Sequence, residues 1–222
     1  MEIKVVKKVL DANDAAAAKN RKFFKEKGIF VVNIMSSPGS GKTSVLEKAI
    51  AKINSQIKCA VIVGDVCTTN DAERLAKAKA PVVQVNTDEF GGDCHLAAHV
   101  IEKALDEFDL NNLDLIIVEN VGNLVCPAEF DIGENIKGVV LSTTEGEDKP
   151  LKYPLMFRIC DFALLNKIDL LPYLDFDKNK AIQNIYQVNP NIKLFEVSAK
   201  TEEGLDDWIK WLIEKVGETT QR

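Results

Sequence analysis

The chain has 222 residues, 46% of them apolar, and a net charge of −6. That composition supports a full globular core and excludes general disorder, and the acidic balance argues against nucleic acid as a bulk electrostatic partner. No apolar run reaches the roughly 18 residues of a membrane span. The opening residues MEIKVVKKVLDAND lack the long apolar run and small-residue cleavage site of a secretory signal, so a cytoplasmic location is expected, with neither membrane nor nucleic acid as partner. Five cysteines, at 59, 67, 94, 126 and 160, are too odd and too scattered for a disulfide framework and read as reduced thiols.

Residues 9–27 are Ala-rich and predict a helix that Gly28 stops. Short apolar runs follow at 30–35, 59–64, 81–85, 113–119, 138–143, 162–167 and 192–198. Runs without polar alternation suit parallel strands covered on both faces. Helical patterns lie between them at 42–54, 70–79, 94–108, 177–188 and 202–216. The alternation predicts an α/β fold with a doubly wound, mostly parallel sheet. A single domain is expected, with residues 1–28 as a helical segment packed on a domain at 29–222. In such sheets ligands bind where strands end, so the decisive residues should follow strands.

The run at 30–35 leads into Ser36-Ser37-Pro38-Gly39-Ser40-Gly41-Lys42-Thr43. A phosphate-binding loop reads G-x-x-x-x-G-K-S/T between a strand and a helix; here Ser36 stands at the first glycine position. The fold class is therefore that of a P-loop NTPase. Ser37, Gly39, Ser40, Gly41, Lys42, Thr43 and Ser44 are the candidate nucleotide contacts. Lys42 is expected against the β- and γ-phosphates, with the Thr43 hydroxyl on Mg²⁺. The plain alternative is a glycine-rich turn. Asn166-Lys167-Ile168-Asp169 follows the sixth run and resembles the N-K-x-D guanine motif of GTPases. The Asp169 carboxylate can accept from guanine N1–H and the 2-amino group, the Lys167 stem can cover the base, and Asn166 can tie this loop to the phosphate loop. A helix cap or turn is the alternative there. Ser198-Ala199-Lys200, after the last run, is the third base-contact candidate. Asp65 and Glu119 end two other runs, and both carboxylates can reach Mg²⁺ or orient the attacking water. Asp71 fits a helix N-cap as well as a functional role.

The two histidines, His95 and His99, both lie beside Cys94. If a helix begins at 94, His95 and His99 are i,i+4 and share a face. Cys126 follows the run that ends at Glu119. Thiolate with imidazole suits Ni²⁺, Zn²⁺ or Cu rather than Mg²⁺ or Ca²⁺. The alternative is a free thiol with two surface histidines. One subunit offers few well-spread ligands, and a twofold axis would double them. Cys59 and Cys160 read as core thiols; Cys67 is unassigned.

Residues 36–43, 92–99 and 119–130 (ENVGNLVCPAEF), extended by TEGEDKPLKYP at 144–154 and by 166–169, resemble the HypB family of GTPases. The resemblance covers the chain from about Ala12 onward. It implies a GTP-dependent homodimer in the signal-recognition, MinD and BioD class of GTPases. The implied activity is GTP hydrolysis with slow intrinsic turnover, in aid of nickel insertion into a nickel–iron hydrogenase. The implied partners are a nickel-carrying accessory protein and the hydrogenase large subunit. By motif match Cys94, His95 and Cys126 bind Ni²⁺ or Zn²⁺ at or near the dimer interface, with His99 a further candidate. The chain starts MEIKVVKKVL, without the C-x-x-C-G-C site or His-rich tract of some members, so no nickel storage is expected. No arginine is evident near a motif as a built-in finger; Lys149 or Lys152 acting across a dimer is the candidate substitute. The rivals are a urease-type nickel GTPase, which typically carries a Cys-Pro-His element, a nucleotide-gated scaffold without catalysis, and a small-molecule kinase, which N-K-I-D disfavours.

Overall fold

The computed structural model describes residues 4–65, 70–78, 80–87 and 94–220. Cys67, Thr68, Thr69 and Asp93 fall outside them. Seven strands form one sheet: β1 (Phe30–Ser36), β2 (Cys59–Asp65), β3 (Val82–Asn86), β4 (Leu115–Gly122), β5 (Ile136–Ser142), β6 (Phe162–Asn166) and β7 (Lys193–Glu196). Their order is β3-β2-β4-β1-β5-β6-β7, and every neighbouring pair is parallel. The doubly wound parallel sheet expected from the alternation is the sheet that forms.

The strands are apolar on both faces because both faces are covered. In β1, Phe30, Val32 and Ile34 join one core with α2 (Lys42–Asn54), α3 (Asn70–Ala76) and α9 (Leu205–Thr220), where Trp208 is fully buried. On the other face Val31 packs with α1 (Lys4–Lys27) and α4 (Ala98–Leu105), and Met35 with α7 (Pro154–Ile159) and α8 (Lys178–Val188). Each such side chain contributes about 1.5–3 kcal/mol by leaving water. Two short helices, α5 (Cys126–Glu129) and α6 (Lys149–Lys152), lie in the connections. Among the described residues no helix is long and apolar enough to cross a membrane.

Two expectations are corrected here. The helix predicted from 94 begins only at Ala98: Ala97 is extended, and the Ala98 amide, which a helix from 94 would pair with the Cys94 carbonyl, is taken by Asn13. Leu96 N–H donates to Asn120 Oδ1 (3.1 Å) and Ala98 N–H to Asn13 Oδ1 (3.0 Å). Cys94 and Cys126, expected as reduced thiols, are joined as a disulfide. The cause is topological, since β4 carries Cys126 to the loop that holds Cys94.

β1 sits centrally. The chain runs from it outward through β2 to β3, returns to insert β4, and then crosses to β5 on the far side. The carboxyl end of β1 is therefore the topological switch point, where such sheets bind ligands.

Candidate nucleotide and metal site

Residues 37–41 link β1 to α2. Gly41 opens α2 with φ +90°, and an added Cβ would lie 2.5 Å from Asn166 Nδ2, so glycine is required on both counts. Lys42 Nζ donates to the Asn120 carbonyl (2.6 Å) and stands 3.1 Å from Glu119 Oε1. The Thr43 hydroxyl donates to the same Glu119 oxygen (2.6 Å). Glu119 is 1% exposed, and its other oxygen, Oε2, is buried without a hydrogen-bond partner among the described residues. A buried carboxylate oxygen left unpaired beside a threonine hydroxyl is what a divalent cation or its water would satisfy. The Ser37 hydroxyl is held by Glu145 Oε2, whose other oxygen accepts from Ser142 N–H. Ser36, where the loop motif has glycine, is buried at the end of β1, and its hydroxyl donates to the Ser37 carbonyl (2.9 Å).

A cavity of about 580 Å³ opens over residues 36–44 and is walled by Asp65, Asp71, Arg74 and Gly122. A second bay of about 490 Å³ adjoins it, with Gly41, Ser44, Arg74 and Lys167 common to both. Asn166, Asp169, Ala199 and Lys200 line the second bay. Asn166 ties the two together: its Nδ2 donates to the Ser40 carbonyl (2.9 Å), and its Oδ1 accepts from Ala199 N–H (3.1 Å). Lys167 adopts φ +66° and lays its ammonium on the Gly39 carbonyl (2.8 Å). Asp169 accepts the Ser198 hydroxyl (2.6 Å), and Ser198 Oγ in turn accepts from the amides of Lys200 and Thr201. The structure thus gathers the residues of all three motifs around two joined bays, one lined by phosphate-type donors and one by a carboxylate.

Arg74, remote from every motif in the sequence, is brought beside the phosphate loop by the fold. It stands on α3 at the lip between the bays. Its guanidinium donates to Glu47 Oε2 (2.7 and 3.2 Å) and to Ser44 Oγ (3.0 Å). Asp71 lies inside the first turn of α3 rather than capping it, 3.6 Å from Arg74, on the wall of the cavity. The sequence signal was the i,i+3 acid–base pair itself.

The proposed metal residues are brought together only in part. Cys94 and Cys126 meet; His95 stacks on the Phe130 ring, 3.7 Å between centroids. His99 lies exposed on α4. With α4 starting at Ala98, His95 and His99 do not share a helix face. Among the described residues no group of three or more His, Cys, Asp or Glu side chains is arranged to hold a metal. Cys59 and Cys160 are core thiols; burial pushes Cys59 up to about 12 and raises Cys160 as well, which keeps both protonated.

A parallel sheet with a phosphate loop at its switch point and a tethered N-K-x-D bay defines a P-loop nucleotide-binding protein. Residues 30–196 match the family model described as CobW/HypB/UreG, nucleotide-binding domain. A hydrogenase maturation factor HypB of Rhizobium leguminosarum bv. viciae is 49% identical over 210 residues, spanning 95% of this chain and 69% of the relative. A hydrogenase/urease maturation factor HypB of Helicobacter hepaticus is 41% identical, over 91% and 84%. The crystal structure of Helicobacter pylori HypB in complex with nickel superposes with a TM-score of 0.87 at 38% identity, over 94% of this chain and 97% of that one. The chain belongs to the HypB family of P-loop nucleotide-binding proteins.

Proposed function

We propose that the chain is a GTP-hydrolysing metallochaperone of nickel–iron hydrogenase maturation. The observation that carries this reading is the dual use of β4. Its Glu119 engages Lys42 and Thr43 in the phosphate site, and seven residues on Cys126 meets Cys94. One strand end thus connects a nucleotide bay to a pair of sulfurs that, once reduced, offer two soft ligands to one Ni²⁺ or Zn²⁺ ion.

In this reading Lys42 and the amides of residues 39–43 hold the β- and γ-phosphates. Thr43, Glu119 and Asp65 would hold Mg²⁺, and the unpaired Glu119 Oε2 supports that fit. Mg²⁺ would supply neutralisation of charge on the phosphate oxygens. Asp169 selects guanine, Lys167 covers the base, and Asn166 fixes the distance between base and phosphates; Ser198, Ala199 and Lys200 close the base side. The Arg74 guanidinium is committed to Glu47 and Ser44, which fits slow intrinsic turnover. The metal set is Cys94, Cys126 and His95, with His99 subsidiary. Because one subunit supplies so few ligands, the site is completed across a cytoplasmic homodimer whose association follows nucleotide state. The nickel donor and the hydrogenase large subunit are the partners.

Competitive titration of GTP, GDP and ATP against the reduced protein, followed by activation of apo-hydrogenase and apo-urease in parallel, tests the reading. Equal affinity for GTP and ATP sinks the GTPase assignment. Activation of urease alone would transfer the client.

A further inference from the structure

β4 does not end flush with β1. Ile34 pairs with Glu119 but Ser36 pairs with Gly122, so Asn120 and Val121 together face Met35. This is a β-bulge, a device that re-aims a strand end beside a functional site. Asn120, 1% exposed, has its carbonyl and both polar atoms of its side chain hydrogen-bonded there. Its backbone carbonyl accepts Lys42 Nζ (2.6 Å), its Oδ1 accepts Leu96 N–H (3.1 Å) and Val121 N–H (2.9 Å), and its Nδ2 donates to Asn33 Oδ1 (3.2 Å). Asn33, fully buried in β1, is fixed in turn by Glu134 (3.1 Å).

Leu96 lies two residues after Cys94. Its side chain fills the notch left by Gly64, where an added Cβ would stand 2.7 Å from Leu96 Cγ. Gly64 immediately precedes Asp65 on the wall of the phosphate cavity. Leu96 is thus the point at which the cysteine loop touches both the β2 end and the β4 end.

We propose that Asn120 is the positioning residue through which occupancy of the phosphate site sets the place of the Cys94–His95 loop. The inference rests on the nucleotide-and-metal reading above and names the residue that links its two halves. Without phosphate, the Lys42 ammonium anchors the Asn120 carbonyl. A bound polyphosphate draws that ammonium away, because a charge-assisted bond to an anion outcompetes one to a neutral carbonyl. The Asn120 peptide, in a bulge and relieved of its cation, can then turn, and its carboxamide moves the Leu96 amide with it. Metal drawing on Cys94 acts on the same peptide in reverse, and linkage makes the two effects equal in size. This route crosses space from β4 to the loop, and is separate from the covalent path along residues 122–126.

The test titrates Ni²⁺ into the reduced full chain with no nucleotide, with GDP and with a non-hydrolysable GTP analogue. For the parent protein the ratio of Ni²⁺ affinities with and without nucleotide is expected to reach about tenfold, within the usual range for coupled sites. Asn120→Ala is expected to bring that ratio within about twofold of one. Because a ratio is read, a uniform change in either affinity does not imitate the effect. In the parent protein, hydrogen exchange at the Leu96 amide is expected to change about tenfold on nucleotide binding, a signal that loss of stability in a variant cannot produce. An undiminished ratio in Asn120→Ala, or Leu96 exchange indifferent to nucleotide, overturns the proposal. If Asn120→Ala does not fold, the Leu96 measurement decides alone. Failure of the parent to bind GTP would remove the functional reading itself; GTP and Ni²⁺ bound independently would leave the GTPase standing and refute only the link through Asn120.

Discussion

Replacing Gly41 by alanine tests how far the phosphate and base loops act as one unit. At φ +90° an L-residue costs about 1–2 kcal/mol. The new Cβ would also press on Asn166 Nδ2 at 2.5 Å, and Asn166, 1% exposed, cannot swing into water. Relieving the contact breaks the bonds to Ser40 and Ala199, and leaving such partners buried costs about 1–3 kcal/mol. The expected loss is therefore about 2–5 kcal/mol, against a total stability of about 5–15 kcal/mol for a domain. Gly39→Ala is the matched control: φ is +78°, but nothing lies within 4 Å of its added Cβ, so only the backbone term applies. Urea unfolding followed by tryptophan fluorescence gives both stabilities, and titration with fluorescent GDP gives both affinities. Gly41→Ala should be the weaker by at least about 1 kcal/mol in stability and about tenfold in GDP affinity, since tenfold is 1.4 kcal/mol. If the two variants agree within about 0.5 kcal/mol and bind GDP alike, the tie through Asn166 carries no weight and the reasoning fails.

Other outcomes follow from the same geometry. If Asp169 accepts two guanine hydrogen bonds, each charge-assisted and worth about 1.5–3 kcal/mol, Asp169→Ala should cost GTP about a hundredfold or more in affinity while ATP is little changed; parallel losses for both nucleotides would contradict a base-reading role. Arg74→Ala should leave GTP turnover within about twofold, because the guanidinium is held by Glu47 and Ser44, and a fall of about tenfold would show it acting on the phosphates instead. Stoichiometric Ni²⁺ or Zn²⁺ binding should require prior reduction and be lost in Cys126→Ala, because a disulfide offers no thiolate; equal metal content in oxidised and reduced protein would remove the cysteine pair from the site. Trp208→Ala, in the core under α9, should cost about 3–5 kcal/mol in urea unfolding.

The sheet was readable because its strands are short apolar runs buried on both faces, and each run named above contains or overlaps a strand. The candidate residues of the two bays could be picked out because their positions are local: Lys42 and Thr43 come soon after β1, Asn166 is the last residue of β6 and Asp169 follows it by three. What sequence did not reveal depends on contacts between distant segments. The helix expected from 94 starts late because Asn13, 85 residues away in sequence, takes the amide of Ala98. The disulfide likewise joins residues 32 apart. Arg74 needed α3 to be placed over α2 before its position meant anything. Some signals were present and unused. Pro127, Pro150 and Pro154 each stand in the first turn of a short helix, α5, α6 and α7, which is where proline is tolerated. Asn33, a polar residue inside the apolar run at 30–35, is a further such signal: in the fold it is fully buried and bonded to Glu134 and Asn120.

The capping of α4 bears on how the protein can be cut. Ala97, at the cap position, has no side chain able to accept a hydrogen bond; α1 supplies the acceptor through Asn13, while Asn20 donates to the Ala98 and Ile132 carbonyls (2.8 and 3.0 Å). A fragment beginning at residue 29 would keep every nucleotide motif and both cysteines. It would also strip the cap from the helix next to Cys94 and uncover the apolar surface beneath Phe24. The minimal piece that preserves the cysteine loop is thus larger than the piece that contains the motifs, and a trimmed version that still binds nucleotide says nothing about whether its cysteine loop is intact.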